Sequence, residues 1–192
     1  RYDFQYHQAA ATALEVLDDA NVACVYCEWH DDYVLEAAGV LSYRFHQVKT
    51  RSASKGPWRL NEFFGVPGKR GKLSKQQGGA SGDSIFARFS DHISKFGTRC
   101  ELFVFVTDAG ITTDFESLLT QCHNAKSLSE LSSPGREEVS RLCTSLELTL
   151  SEITEDALGT FLTRLQIRPA IGSLAQLHRQ AREPRREFVT RE

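Results

Sequence analysis

The chain has 192 residues, of which 41% are hydrophobic and 25% charged, and its formal net charge is −2. Nothing in this composition is extreme, so it describes one ordinary domain long enough to bury a sizeable core. No apolar run approaches the ~18 residues of a membrane span and no signal-peptide pattern is visible, so the expectation is a cytoplasmic chain.

The first element is a helix over "YDFQYHQAAATALEVLDDA", with Phe4, Ala10, Ala13, Leu14 and Leu17 at helical spacing and Asp3 as its cap. Three strands follow, "VACVYCE", "DYVLEAA" and "LSYRFHQVK", all rich in β-branched or aromatic residues. Cys24 and Cys27 have a zinc-like spacing but lie within a strand pattern and lack a second pair, so they read as packing residues. With Cys100, Cys122 and Cys143 they make an odd number, which suits reduced thiols rather than a disulfide framework. Between the second and third strands, Gly39-Val40 has the signature of a two-residue type II′ hairpin turn.

The stretch "GVPGKRGKLSKQQGGASGD" reads as a loop. In "DSIFARFSDHISKF", Ile85, Phe86, Phe89, Ile93 and Phe96 share one helical face, Asp83 or Ser84 caps it, and Gly97 ends it. "CELFVFVTDAG" has the continuous apolar run of a strand buried on both faces. Four helical patterns close the chain: "TTDFESLLTQCHNA", "SPGREEVSRLCTSLE", "TEDALGTFLTRLQ" and "GSLAQLHRQAREP". The expected order is α-β-β-β-α-β over residues 1–110, then an all-helical extension of the same domain over 111–183. Residues 184–192 read as a linker, and the absence of methionine suggests a segment of a longer protein with a further domain beyond it.

Charge is segregated. Lys49, Arg51, Lys55, Arg59, Lys69, Arg70, Lys72 and Lys75 face one acid, Glu62, in their stretch, whereas 111–160 is predominantly acidic. The first stretch attracts polyanions and the second repels them.

The hairpin turn fixes a register in which Ala38 pairs with Leu41, Glu36 with Tyr43, Val34 with Phe45 and Asp32 with Gln47. Directly opposed residues share a face with Cβ atoms about 5 Å apart, and Lys49 lies diagonally at ~7 Å. A carboxylate, an amide oxygen and an ammonium thus collect on one face. Mg²⁺ accepts a carboxylate and an amide oxygen, keeps several waters and is completed by substrate phosphate, while a lysine orients water or stabilises phosphate charge. Glu28 and Asp31 would add a second carboxylate, or simply end strands in solvent.

This arrangement resembles the PD-(D/E)xK, restriction-endonuclease-like nuclease superfamily, whose core is also α-β-β-β-α-β. Asp32 matches the family's aspartate, Gln47 its Asp/Glu position and Lys49 its lysine; Gln47 departs from the usual acid, though several branches use Gln-x-Lys. The motifs "DFQYHQAA", "CEWHDD" and "HQVKTRSASKGPWRLNEF" further resemble the double-stranded DNA endonuclease domain of bacterial anti-phage CBASS effectors fused to a SAVED sensor. That likeness implies Gln5 and Glu28 as site-lining residues and Trp58 as part of the following segment, where it serves packing or base stacking. It also implies activation by a cyclic oligonucleotide through a fused C-terminal sensor. The resulting expectation is a Mg²⁺-dependent (or Mn²⁺-dependent) endonuclease with little sequence specificity. Asp32, Gln47 and the Val48 carbonyl would hold metal, and Lys49 would position water. Arg51, Lys55, Arg59, Lys69, Arg70 and Lys72 would straddle phosphates, and homo-oligomers would form on activation. A nuclease-like DNA- or partner-binding module without catalysis, and an RNA-directed nuclease, remain the alternatives.

Overall fold

The computed structural model describes residues 2–16, 21–27, 32–66, 84–125, 127–147 and 154–169. The chain divides into two compact units: one takes residues up to Lys55, Thr98–Ala109 and Gln166 onwards, the other Gly56–Gly97 and Gly110–Leu165.

The first unit carries helix α1 (Tyr2–Val16) and a sheet of β1 (Val22–Cys27), β2 (Tyr33–Ala37), β3 (Tyr43–Lys49), β4 (Cys100–Thr107) and β5 (Leu165–Pro169), in that spatial order. β1 and β2 are antiparallel, as are β2 and β3, while β3 and β4 run parallel. Parallel neighbours need a long crossover, which residues 50–99 supply.

The β2–β3 register is Tyr33↔His46, Val34↔Phe45, Leu35↔Arg44 and Glu36↔Tyr43, the register expected from the sequence. The turn itself is wider than the expected two residues. Ala37 N–H donates to Ser42 O at 3.0 Å and Ser42 N–H to Val40 O at 2.7 Å, so Ala38 and Leu41 belong to the loop instead of pairing. Withdrawing one residue from each strand widens the loop without shifting the ladder, which is why the register survives. Gly39, at φ +77°, supplies the left-handed residue this bend needs.

One sheet face presents Tyr33, Leu35, Val48, Val104 and Val106 to Ala9 of α1, forming the apolar core of this unit. Each such valine or leucine contributes about 1.5–3 kcal/mol on burial. The helix turns Gln8 and Ala9 inward; of the expected face Ala10 is exposed and Ala13 half-buried, while the side chains of Phe4, Leu14 and Leu17 lie outside the described residues. Asp3 falls inside the helix rather than capping it. The opposite sheet face carries Val34, Phe45 and Phe103, the last two with ring centroids 6.0 Å apart.

The second unit contains α2 (Leu60–Phe64), α3 (Ile85–Phe96), α4 (Thr113–Asn124), α5 (Ser133–Glu147) and α6 (Glu155–Arg164). Its core is aromatic: Phe63 meets Phe115 at 5.2 Å, Phe64 meets Phe86 at 4.8 Å, and Phe86 meets Phe161 edge-on at 4.9 Å. Ser84 caps α3 by accepting the Ala87 N–H at 3.0 Å, and Gly97, at φ +55°, ends it.

Two elements depart from the expectation. The short helix α2 had no periodic signal in five residues. The C-terminal part is not all helical, because α6 stops at Arg164 and "LQIRP" becomes β5, with Leu165 buried and Gln166 and Arg168 exposed. The helix expected over "GSLAQLHRQAREP", the linker and most of the lysine-rich loop lie outside the described residues. All five cysteines are free thiols; Cys27 is exposed rather than packed because β1 is a sheet edge. Among the described residues, no helix is long and apolar enough to cross a membrane.

His46, 2% exposed, stacks on Tyr33 with centroids 4.4 Å apart. Burial, aided by the charges of Arg168 and Arg44, lowers its pKa from 6.5 to about 3. The unfolded chain therefore binds a proton that the folded chain refuses, so this contribution to stability is full above pH 6.5 and is lost as pH falls toward 3. Denaturant midpoints should decline across that window, and His46→Phe, which keeps the stack, should flatten the decline. Equal slopes in both proteins would contradict this.

Candidate active site

Asp32 stands one residue before β2, and Gln47 and Lys49 stand near the end of β3. The β2–β3 ladder ends at Tyr33↔His46, and Asp32 and Gln47 are the residues next to this pair on the two sides. The Asp32 Oδ2 accepts the Val48 N–H at 2.6 Å and lies 3.7 Å from Lys49 Nζ. Both charged side chains are largely shielded, at 15% and 17% exposure for Asp32 and Lys49 respectively. Such a pair is screened less than a surface ion pair, and removing one partner leaves a charge in a poor solvent. Gln47 is fully buried, at 0% exposure, so its amide is held in place by the central strand.

The geometry follows from strand physics. β3 lies between β2 and β4, so its side chains are fixed from both sides. Alternation sends Val48 into the core cluster while Gln47 and Lys49 take the other face. The Val48 backbone N–H, at the frayed end of the β2–β3 ladder, takes a carboxylate as its partner in place of a strand carbonyl.

On the parallel side, Gln47 pairs with Phe105 and Lys49 with Thr107. Beyond that ladder Thr107 Oγ1 accepts the Ala109 N–H at 3.2 Å, and Asp108 Oδ1 accepts the Arg51 N–H at 2.8 Å. Asp108 is a carboxylate that the sequence reading passed over. Its signal was there, as the first charged residue after the apolar run "LFVFVT", at the end of a strand running parallel to β3.

The structure thus brings Asp32, Gln47, Val48 and Lys49 together. Of Val48 it is the N–H that meets Asp32. Gln5 lies on α1 but its side chain is outside the described residues, as are Glu28, Asp31, Lys69, Arg70 and Lys72. Arg51 is half-buried and Lys55 exposed in the first unit. Arg59, exposed, belongs to the second, where its backbone N–H donates to Glu62 Oε2 at 3.1 Å at the start of α2. Glu62, the one acid of the basic stretch, is therefore used in capping. Trp58 is half-buried and joined to the Gly110–Thr112 segment through its backbone, donating to Gly110 O at 2.8 Å and accepting from Thr112 N–H at 2.9 Å.

The donor set suits a hard divalent cation such as Mg²⁺, which takes one or two protein oxygens and leaves the rest to water and phosphate. Asp32 and Gln47 offer a carboxylate and an amide oxygen of that kind. Among the described residues, no group of three or more His, Cys, Asp or Glu side chains is placed to hold a metal ion.

A model of the family described as Cap4, dsDNA endonuclease domain, matches residues 1–183. No curated protein matches the chain.

Proposed function

The chain belongs to the Cap4 dsDNA endonuclease domain family, a double-stranded DNA nuclease of anti-phage defence, and on that premise we propose that Asp32, Gln47 and Lys49 hydrolyse DNA phosphodiesters with Mg²⁺ as cofactor. The observation that carries this reading is the shielded Asp32 carboxylate, 2.6 Å from the Val48 N–H and 3.7 Å from Lys49 Nζ, beside the buried amide of Gln47. A cluster serving packing alone would have little reason to hold two opposite charges at the end of a central strand.

Each residue has a distinct task. Asp32, oriented by the Val48 N–H, and Gln47 would hold the ion. When bound, the ion supplies Lewis-acid stabilisation of charge on the scissile phosphate. Lys49 presents its ammonium to the phosphate oxygens or orients the attacking water. The neutral amide of Gln47 leaves the site one charge less negative than a second carboxylate would, which eases the approach of a polyanion at the cost of weaker cation binding.

Arg51, Lys55 and Arg59, joined by Lys69, Arg70 and Lys72, would contact backbone phosphates and give affinity without sequence information. As a cytoplasmic effector, the domain would act when a fused sensor binds a cyclic oligonucleotide, and assembly of homo-oligomers would bring two active sites to the two strands. The membership itself favours duplex DNA over RNA and an active enzyme over a binding module.

The test is a side-by-side digestion. The chain should nick plasmid DNA with Mg²⁺, stop when the metal is chelated, and leave structured RNA intact. Cleavage that persists under chelation would overturn the metal-dependent reading, and preferential RNA digestion would overturn the substrate.

A further inference from the structure

β3 and β4 stop pairing at Lys49↔Thr107, yet the chain leaving β3 remains tethered two residues further on. The tether is the Asp108 carboxylate, whose Oδ1 accepts the Arg51 N–H at 2.8 Å. Asp108 is itself held by the turn in which the buried Thr107 accepts the Ala109 N–H through Oγ1 at 3.2 Å. A side chain thus takes over where the backbone ladder ends, and it fixes the direction in which the segment from Arg51 to Lys55 departs from the sheet.

The location makes that carboxylate a paradox for a DNA-binding surface. Asp108 is exposed, and it stands beside the segment carrying Lys49, Arg51 and Lys55. An exposed anion there repels phosphates, so electrostatics alone would favour its absence. Its hydrogen bond supplies the compensating reason for its presence. We infer that Asp108 is a positioning residue, which orients the Arg51 backbone and thereby the basic segment for contact with duplex DNA. The inference rests on the DNA-binding reading above.

The two roles of Asp108, anion and acceptor, can be separated. Asp108→Asn removes the charge and keeps a side-chain oxygen for the Arg51 N–H, whereas Asp108→Ala removes both. Duplex DNA binding by the full chain, measured by fluorescence anisotropy in chelator over a range of salt, should separate the two variants. The Asn variant should bind as tightly as wild type or tighter. The Ala variant should bind several-fold more weakly, with a log K against log salt slope shallower by ~0.9 if one phosphate contact is lost. Thermal midpoints should stay close to wild type, because the hydrogen bond is solvent-exposed. Asp108→Glu keeps the charge but displaces the carboxylate by one methylene, and should also weaken binding. Ala binding as tightly as Asn, or Glu binding like wild type, would overturn the positioning role while leaving the active-site reading intact. A wild-type chain that does not bind duplex DNA at all would overturn the DNA-binding reading and this inference with it.

Discussion

Asp32→Ala is expected to lower Mg²⁺-dependent plasmid cleavage by at least ~10³-fold, the scale seen when a member of a catalytic unit is removed. The cause is the loss of a carboxylate that the structure brings to Lys49 and Val48 in this cluster. Metal binding measured by calorimetry should weaken together with activity, since the neutral amide oxygen of Gln47 does not replace the lost charge. The fold should survive with a modest penalty. Removing the acceptor of the Val48 N–H costs about 1–3 kcal/mol if that group stays buried, partly offset because a shielded charge disappears as well. At roughly 2–4 °C per kcal/mol for a chain of this size, the melting temperature should fall by several degrees without loss of cooperativity. Wild-type cleavage by a folded variant would remove Asp32 from the site.

Lys49→Ala should give a different signature. Its ammonium lies 3.7 Å from the same Asp32 oxygen that a cation would approach, so it competes with the metal for that carboxylate. The variant should therefore bind Mg²⁺ at least as tightly as wild type and yet cleave ~10²–10³-fold more slowly, the loss typical of one electrostatic contact in a transition state. Weaker Mg²⁺ binding would mean that Lys49 supports the site structurally, and an unchanged cleavage rate would mean that it takes no part in the chemistry.

The register that unites these residues was legible in the sequence because it depends only on period-two alternation and the centre of a hairpin. Gly39 marked the centre, and although the loop proved wider, a symmetric widening leaves the register from Glu36↔Tyr43 to Tyr33↔His46 unshifted, with Asp32 and Gln47 next to its last pair. β4 was equally legible, since a strand buried on both faces needs an unbroken apolar run. The inward face of α1 was not, because alanine marks no side of a helix strongly and the buried polar Gln8 marks the wrong one. β5 was hidden by its position directly after α6, where Leu165 continues the helical spacing and only pairing at the sheet edge decides otherwise. Asp108 was missed for another reason: its partner is a backbone N–H just beyond a parallel ladder, and no local spacing encodes a contact between residues 57 apart in the chain.

Under the proposed mechanism, Asp32 and Lys49 act as one catalytic unit. A double-mutant cycle on Mg²⁺-dependent plasmid cleavage, with wild type, Asp32→Ala, Lys49→Ala and the double variant, tests it most directly. Residues that act as a unit are strongly non-additive, so the double variant should cleave no more slowly than Asp32→Ala alone. A double variant whose loss equals the product of the two single losses would mean that the residues act independently, and would contradict the claim.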